Sequence, residues 1–197
     1  MAIEDKVINE LSMLSKQEKV KFCSSCVHRV IQLYKKFDAE EDISQSIPKA
    51  SKGEGYSFLS SILDFIDDKL MISSKKEIIE QIKKCDPLIV DFNIYGNSVN
   101  VYVAQLIAQT ISFILEFYIE DDNKKINYCV DNILEILNQK KSDEYYNVNP
   151  KGSNTELRLY LNDIFTKELE IEESLISAIK ENDDRKLKYI ISNNLIN

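Results

Sequence analysis

Residues 99–119 read VNVYVAQLIAQTISFILEFYI, a run of 21 residues in which Glu116 is the single charge. So long an apolar run is either a membrane span or the central helix of a bundle. Its polar residues distinguish the two. Gln105, Gln109, Ser112 and Glu116 stand at i, i+4, i+7 and i+11 and form one stripe. A helix at the centre of a bundle, with one face toward a polar layer or solvent, has this pattern. The expectation is therefore a central apolar helix over about 98–120 and no membrane partner.

The segments on either side carry helical periodicity too. Lys124–Leu137 places Ile126, Cys129, Val130, Ile133, Leu134 and Leu137 on one stripe. Ser57–Leu70 has apolar residues at 58, 59, 62, 66 and 70, with Asp64 and Asp68 opposite. Ser15-Lys-Gln-Glu18, Ser74-Lys-Lys-Glu77 and Ser153-Asn-Thr-Glu156 have the form of capping boxes, in which serine and glutamate each satisfy a backbone donor at a helix start. They predict helices from Lys16 to about Phe37, from Ser74 to near Pro87, and from Ser153 to about Asn182. A short helix from Ile3 to Leu14 and a final one from Asp183 to Leu195 complete the set. Residues 38–56, with Pro48, Gly53 and Gly55, and 141–153, with Pro150 and Gly152, read as surface connections. The sum is an all-α fold: one domain over 1–197, a bundle of seven or eight helices.

Composition agrees with this. Four glycines and three prolines in 197 residues are too few for a protein built on tight β-turns. The formal net charge of −8 removes the basic footprint that nucleic acid requires and favours a basic partner. The N-terminal MAIEDKVINEL has the character of neither a signal peptide nor a transit peptide, which points to the cytoplasm.

Residues 22–28, FCSSCVH, hold two cysteines and the one histidine of the chain. At 100° per residue Cys23 shares a face with Val20, Val27, Val30, Tyr34 and Phe37, and Cys26 lies 60° away, while His28 is about 140° round the helix. Metal or redox chemistry needs these groups to converge, and a mid-helix placement prevents it. Cys23 and Cys26, with Cys85 and Cys129, are expected inside as free thiols in a reducing compartment; His28 is expected to face water. One outward histidine leaves no Ser-His-Asp or Cys-His assembly. Lys52-Gly-Glu-Gly55 is too short and too acidic for a phosphate loop. No cofactor and no catalytic residue is expected.

Carboxylates are the remaining chemical resource. Asp64, Asp67 and Asp68 on one helix and Glu168, Glu170, Glu172 and Glu173 on another could in principle hold a divalent metal, although the Glu-x-x-His partner of such sites is missing. Glu168 falls on an inward position of the stripe formed by Leu157, Leu161, Ile164, Ile171, Leu175 and Ala178. It reads as an amphipathic rim residue, and if it were buried it would need a lysine or arginine from another helix. From Glu156 to Asp184 nine Asp or Glu stand against three Lys or Arg. That acidity makes Glu168, Glu170, Glu172, Glu173, Asp183 and Asp184 candidate partner-binding residues through electrostatic steering.

Several stretches together resemble the YjaG-like family of bacterial proteins, catalogued as a domain of unknown function. They are Leu14-Ser-Lys-Gln-Glu-Lys-Val-Lys-Phe22 and its cysteine-bearing helix, Asp91-Phe-Asn-Ile-Tyr-Gly96 ahead of the apolar helix, and Asn149-Pro150 followed by Ile164-Phe165, Glu170, Glu172-Glu173, Ile176 and Ile179-Lys180. The resemblance implies an all-helical cytoplasmic domain and supplies no activity. It also marks a structural turn in which Asp91 and Tyr95 order the chain around Gly96, before an N-cap at Asn97 or Ser98. The chain departs from the family pattern in a longer polar segment at 38–56 and in more Lys, Asn and Ile.

These readings converge on the expectation of a non-enzymatic protein-binding protein, most concretely an immunity protein that neutralises a basic toxin such as a nuclease. The alternatives are an intracellular YjaG-like protein that forms a homodimer and a carboxylate-metal hydrolase using Asp64, Asp68 and Glu173.

Overall fold

The central apolar run sits in a cage of helices in the computed structural model, which describes residues 3–40, 54–89 and 98–196. Eight α-helices and no strand occur among the described residues: α1 (Ile3–Ser12), α2 (Lys16–Glu40), α3 (Glu54–Asp68), α4 (Lys75–Cys85), α5 (Val99–Glu120), α6 (Asn123–Val148), α7 (Asn154–Lys180) and α8 (Asp184–Asn193). Single 3-10 turns at Leu70–Ile72 and Asp86–Leu88 follow α3 and α4.

Helix α5 packs against α2, α4 and α6, and α7 joins the bundle through α1, α2, α6 and α8. Val101, Ala104, Ile107, Ala108, Ile111, Ile114 and Leu115 are fully buried. By length and composition this helix could cross a bilayer, yet most of its apolar window is covered by its neighbours. Its polar stripe forms the expected polar layer. Ser112 is buried and donates to Glu116 at 3.1 Å, and Glu116 is ion-paired with Lys125 of α6.

Local chemistry sets the helix boundaries. Each capping box closes in both directions; Ser15 N–H donates to Glu18 at 2.8 Å and Glu18 N–H to Ser15 Oγ at 3.3 Å, with the same reciprocal geometry at Ser74 and Ser153. Ser98 caps α5 by accepting from Val101 N–H. Only two residues separate α5 from α6: Asp121 adopts a left-handed φ of 57°, and Asp122 accepts from Lys124 N–H. The tight reversal makes the two helices antiparallel neighbours.

Two expectations at the connections are corrected. Residues 141–148 are not loop but the last turns of α6, because helix continues until Asn149-Pro150. Residues 38–40 belong to α2 and 54–56 to α3, and residues 41–53 of the expected connection lie outside the described residues. Asp91, Tyr95 and Gly96 of the expected turn lie outside the described residues.

Candidate functional site

A polar stripe on α2 provides one wall of a groove. Gln17, Lys21, Ser24 and His28 recur at i, i+4, i+7 and i+11, beside the apolar stripe that buries Cys23 and Cys26. The C-terminal end of α3, with Asp67 and Asp68, forms the second wall; Asp184 and Lys188 of α8 form the third. Val20, Ile66, Met71, Leu187 and Ile191 contribute apolar surface. The open space measures about 680 Å³, within the range of ligand grooves.

Asp67 organises this groove. Its Oδ1 accepts from the Ser24 hydroxyl, and its Oδ2 lies 2.7 Å from His28 Nε2. The order of groups matters for chemistry. In a hydrolytic triad the imidazole stands between acid and hydroxyl, so that it can take the hydroxyl proton; here the carboxylate stands between them, and Ser24 donates to Asp67 rather than to His28. The arrangement holds a carboxylate in fixed orientation at the edge of a groove. Across from it, Lys21 is 2.6 Å from Asp184, and that hydrogen bond keeps the Asp184 carboxyl below its ordinary pKa.

His28 is thus half-buried against Asp67 rather than simply facing water. The cysteines are where the periodicity put them: Cys23, Cys26, Cys85 and Cys129 are free and buried. Burial raises the Cys23 and Cys26 thiols well above their ordinary pKa and takes Cys85 to about 12, which suppresses thiolate chemistry.

The expected acidic face of α7 does not assemble. Glu168 and Glu172 are buried among the core-facing positions. The rim reading of Glu168 is overturned by Arg29 of α2, whose Nη1 and Nη2 donate to its two oxygens at 2.5 and 2.7 Å. Of the others, Glu173 pairs with Lys6 of α1 at 2.5 Å, and Asp183 accepts from Arg185 and Lys186 N–H as the N-cap of α8. Glu170 remains exposed, and Asp184 belongs to the groove. Covering the core and joining helices consumes most of this set.

The carboxylates considered for a metal are dispersed as well. Asp64 and Asp68 are exposed on α3, whereas Glu173 faces α1. Among the described residues no three His, Cys, Asp or Glu side chains are grouped as a metal-ligand set.

Sequence reasoning missed the groove, although the spacing Gln17, Lys21, Ser24, His28 was a usable signal. What it lacked was the partner, since Asp67 and Asp184 lie far from α2 along the chain. The chain matches no protein-family model, no curated protein and no solved structure.

Proposed function

We propose that this is a non-enzymatic binding protein whose groove between α2, α3 and α8 receives a basic segment of a protein partner. The observation that carries the reading is Asp67, held by Ser24 and His28 on a groove whose rim also presents Asp68 around apolar surface, while Asp184 is paired there with Lys21. A fixed carboxylate is a ready receptor for lysine or arginine, with little ordering left to be done on binding. The net charge of −8 supports the same partner class by steering a cationic surface toward the molecule. In its most concrete form the protein is an immunity protein that covers a basic toxin, since toxins acting on nucleic acid carry cationic surfaces. The resemblance to the YjaG-like family brings no activity with it, so the choice of partner rests on the groove.

Co-expression with a basic toxin domain encoded beside the gene tests the reading. Protection of the cells and co-purification of the two chains are expected, and the Asp67→Asn/Asp68→Asn double variant is expected to lose both. A tagged chain recovered alone, with no toxin gene adjacent, would refute it.

A further inference from the structure

The groove already contains a cation of its own. Lys21, on the α2 stripe that carries Gln17, Ser24 and His28, reaches across to α8 and places Nζ 2.6 Å from Asp184 Oδ1. This is the geometry of a charge-assisted hydrogen bond between lysine and carboxylate. A basic residue entering the groove would seek the same contact with the same group.

The two acidic sides of the groove are prepared differently. On α3 the Asp67 carboxylate is oriented by His28 and by the Ser24 hydroxyl, an uncharged donor, and exposed Asp68 follows it on the rim. On α8 Asp184 is matched by the full positive charge of Lys21, and Lys188 of its own helix adds to the same field. One side is open to a guest cation and the other is occupied.

The occupied side is made to exchange. Lys21 and Asp184 are 38% and 68% exposed, so water screens the pair and its contribution to the fold is small. Helix α8 is held by other means: Leu187 and Ile190 are buried, and beyond its C-terminal end Arg29 bonds the Asn194 carbonyl and the Ile196 N–H. A lysine on a flexible four-carbon stem is readily released into water from such a contact.

We infer that Lys21 is a built-in competitor for the partner's cation: it occupies Asp184 in the free protein and is displaced when a basic segment enters. The filled groove then takes two cations, one at Asp67 and Asp68 and one at Asp184. The inference rests on the reading of the groove as a receptor for basic segments, and it adds that the protein's own lysine holds affinity down.

Fluorescence anisotropy of a rhodamine-labelled hexalysine peptide, titrated with the full chain at low salt, tests it. Lys21→Gln should bind the peptide about threefold or more tighter than wild type. Lys76→Gln, on an exposed residue of α4 that does not line the groove, changes the net charge equally. Its effect should stay below about twofold. On an Asp184→Asn background Lys21→Gln should gain no more than Lys76→Gln does, because the carboxylate it frees is gone. Equal gains from Lys21→Gln and Lys76→Gln, or a Lys21→Gln gain that persists with Asp184→Asn, would overturn the inference; the groove reading would stand in that case if Asp67→Asn/Asp68→Asn still abolished binding. A peptide that binds neither wild type nor Lys21→Gln overturns both.

Discussion

Arg29 and Glu168, 139 residues apart, meet as a buried bidentate ion pair, their side chains 1% and 3% exposed. The pair joins α2 to α7, and Arg29 also reaches the C-terminal segment: its Nε donates to the Asn194 carbonyl at 3.0 Å, and its own carbonyl accepts from Ile196 N–H at 2.8 Å. Burial disfavours the guanidinium charge, but the hydrogen bond to Glu168 and the attraction of Glu168, Cys26 and Glu172 together outweigh it and raise the pKa. Removing one partner strands the other charge in the core. Arg29→Met or Glu168→Leu alone should cost about 3–5 kcal/mol, while the double variant should recover most of that loss. Urea unfolding of the three variants measures both effects.

The four thiols should report global unfolding. Because Cys23, Cys26, Cys85 and Cys129 are all buried, a thiol-reactive reagent should modify them slowly in the native protein and rapidly in denaturant. Rapid labelling of Cys23 or Cys26 under native conditions would place them on an opening segment and contradict their packing.

Acid should destabilise the fold through its helix starts. Hydrogen bonds from the capping serines hold Glu18, Glu77 and Glu156 below the ordinary glutamate value of 4.5. A carboxyl with a depressed folded pKa contributes stability that is fully present above its unfolded value and is lost as pH falls through the folded one. The contribution of these caps should therefore be flat above about pH 5.5 and decline below about pH 4.5. Ser15→Ala should cost about 1 kcal/mol at neutral pH and less in acid, where Glu18 is protonated. Thermal melts across pH measure it.

Asp67 should matter more to binding than to folding. It is about one-third exposed, and solvent screens its contacts with Ser24 and His28. Asp67→Asn should cost no more than about 1 kcal/mol of stability. Partner affinity should fall far more. If stability and affinity fall together, Asp67 is a structural tie between α2 and α3.

The sequence carried the helices because their signals are local. Capping boxes act over four residues, and the apolar stripes of α2, α5 and α6 act over a few turns; both were visible without knowing what packs where. The end of α6 was misplaced for a related reason. Between Gln139 and Val148 the apolar stripe fades while the backbone remains helical, so a reading based on core contacts ended the helix where the core ended. The buried cysteines were legible from the same stripe, because helical phase alone decides which face a residue occupies.

The fate of each charge required the tertiary structure. Periodicity placed Glu168 on an inward position but could not supply Arg29, and without that partner an exposed rim was the cheaper reading. Glu173, Asp183 and Asp184 looked equivalent along the chain, yet one meets α1, one caps α8 and one lines the groove. The groove has the same origin, since Ser24, His28, Asp67 and Asp184 come from three helices that only packing brings together. Helix formation depends on neighbours within a few residues, which sequence records directly; the cost of a charge depends on which distant group shares its surroundings, and only the folded chain decides that.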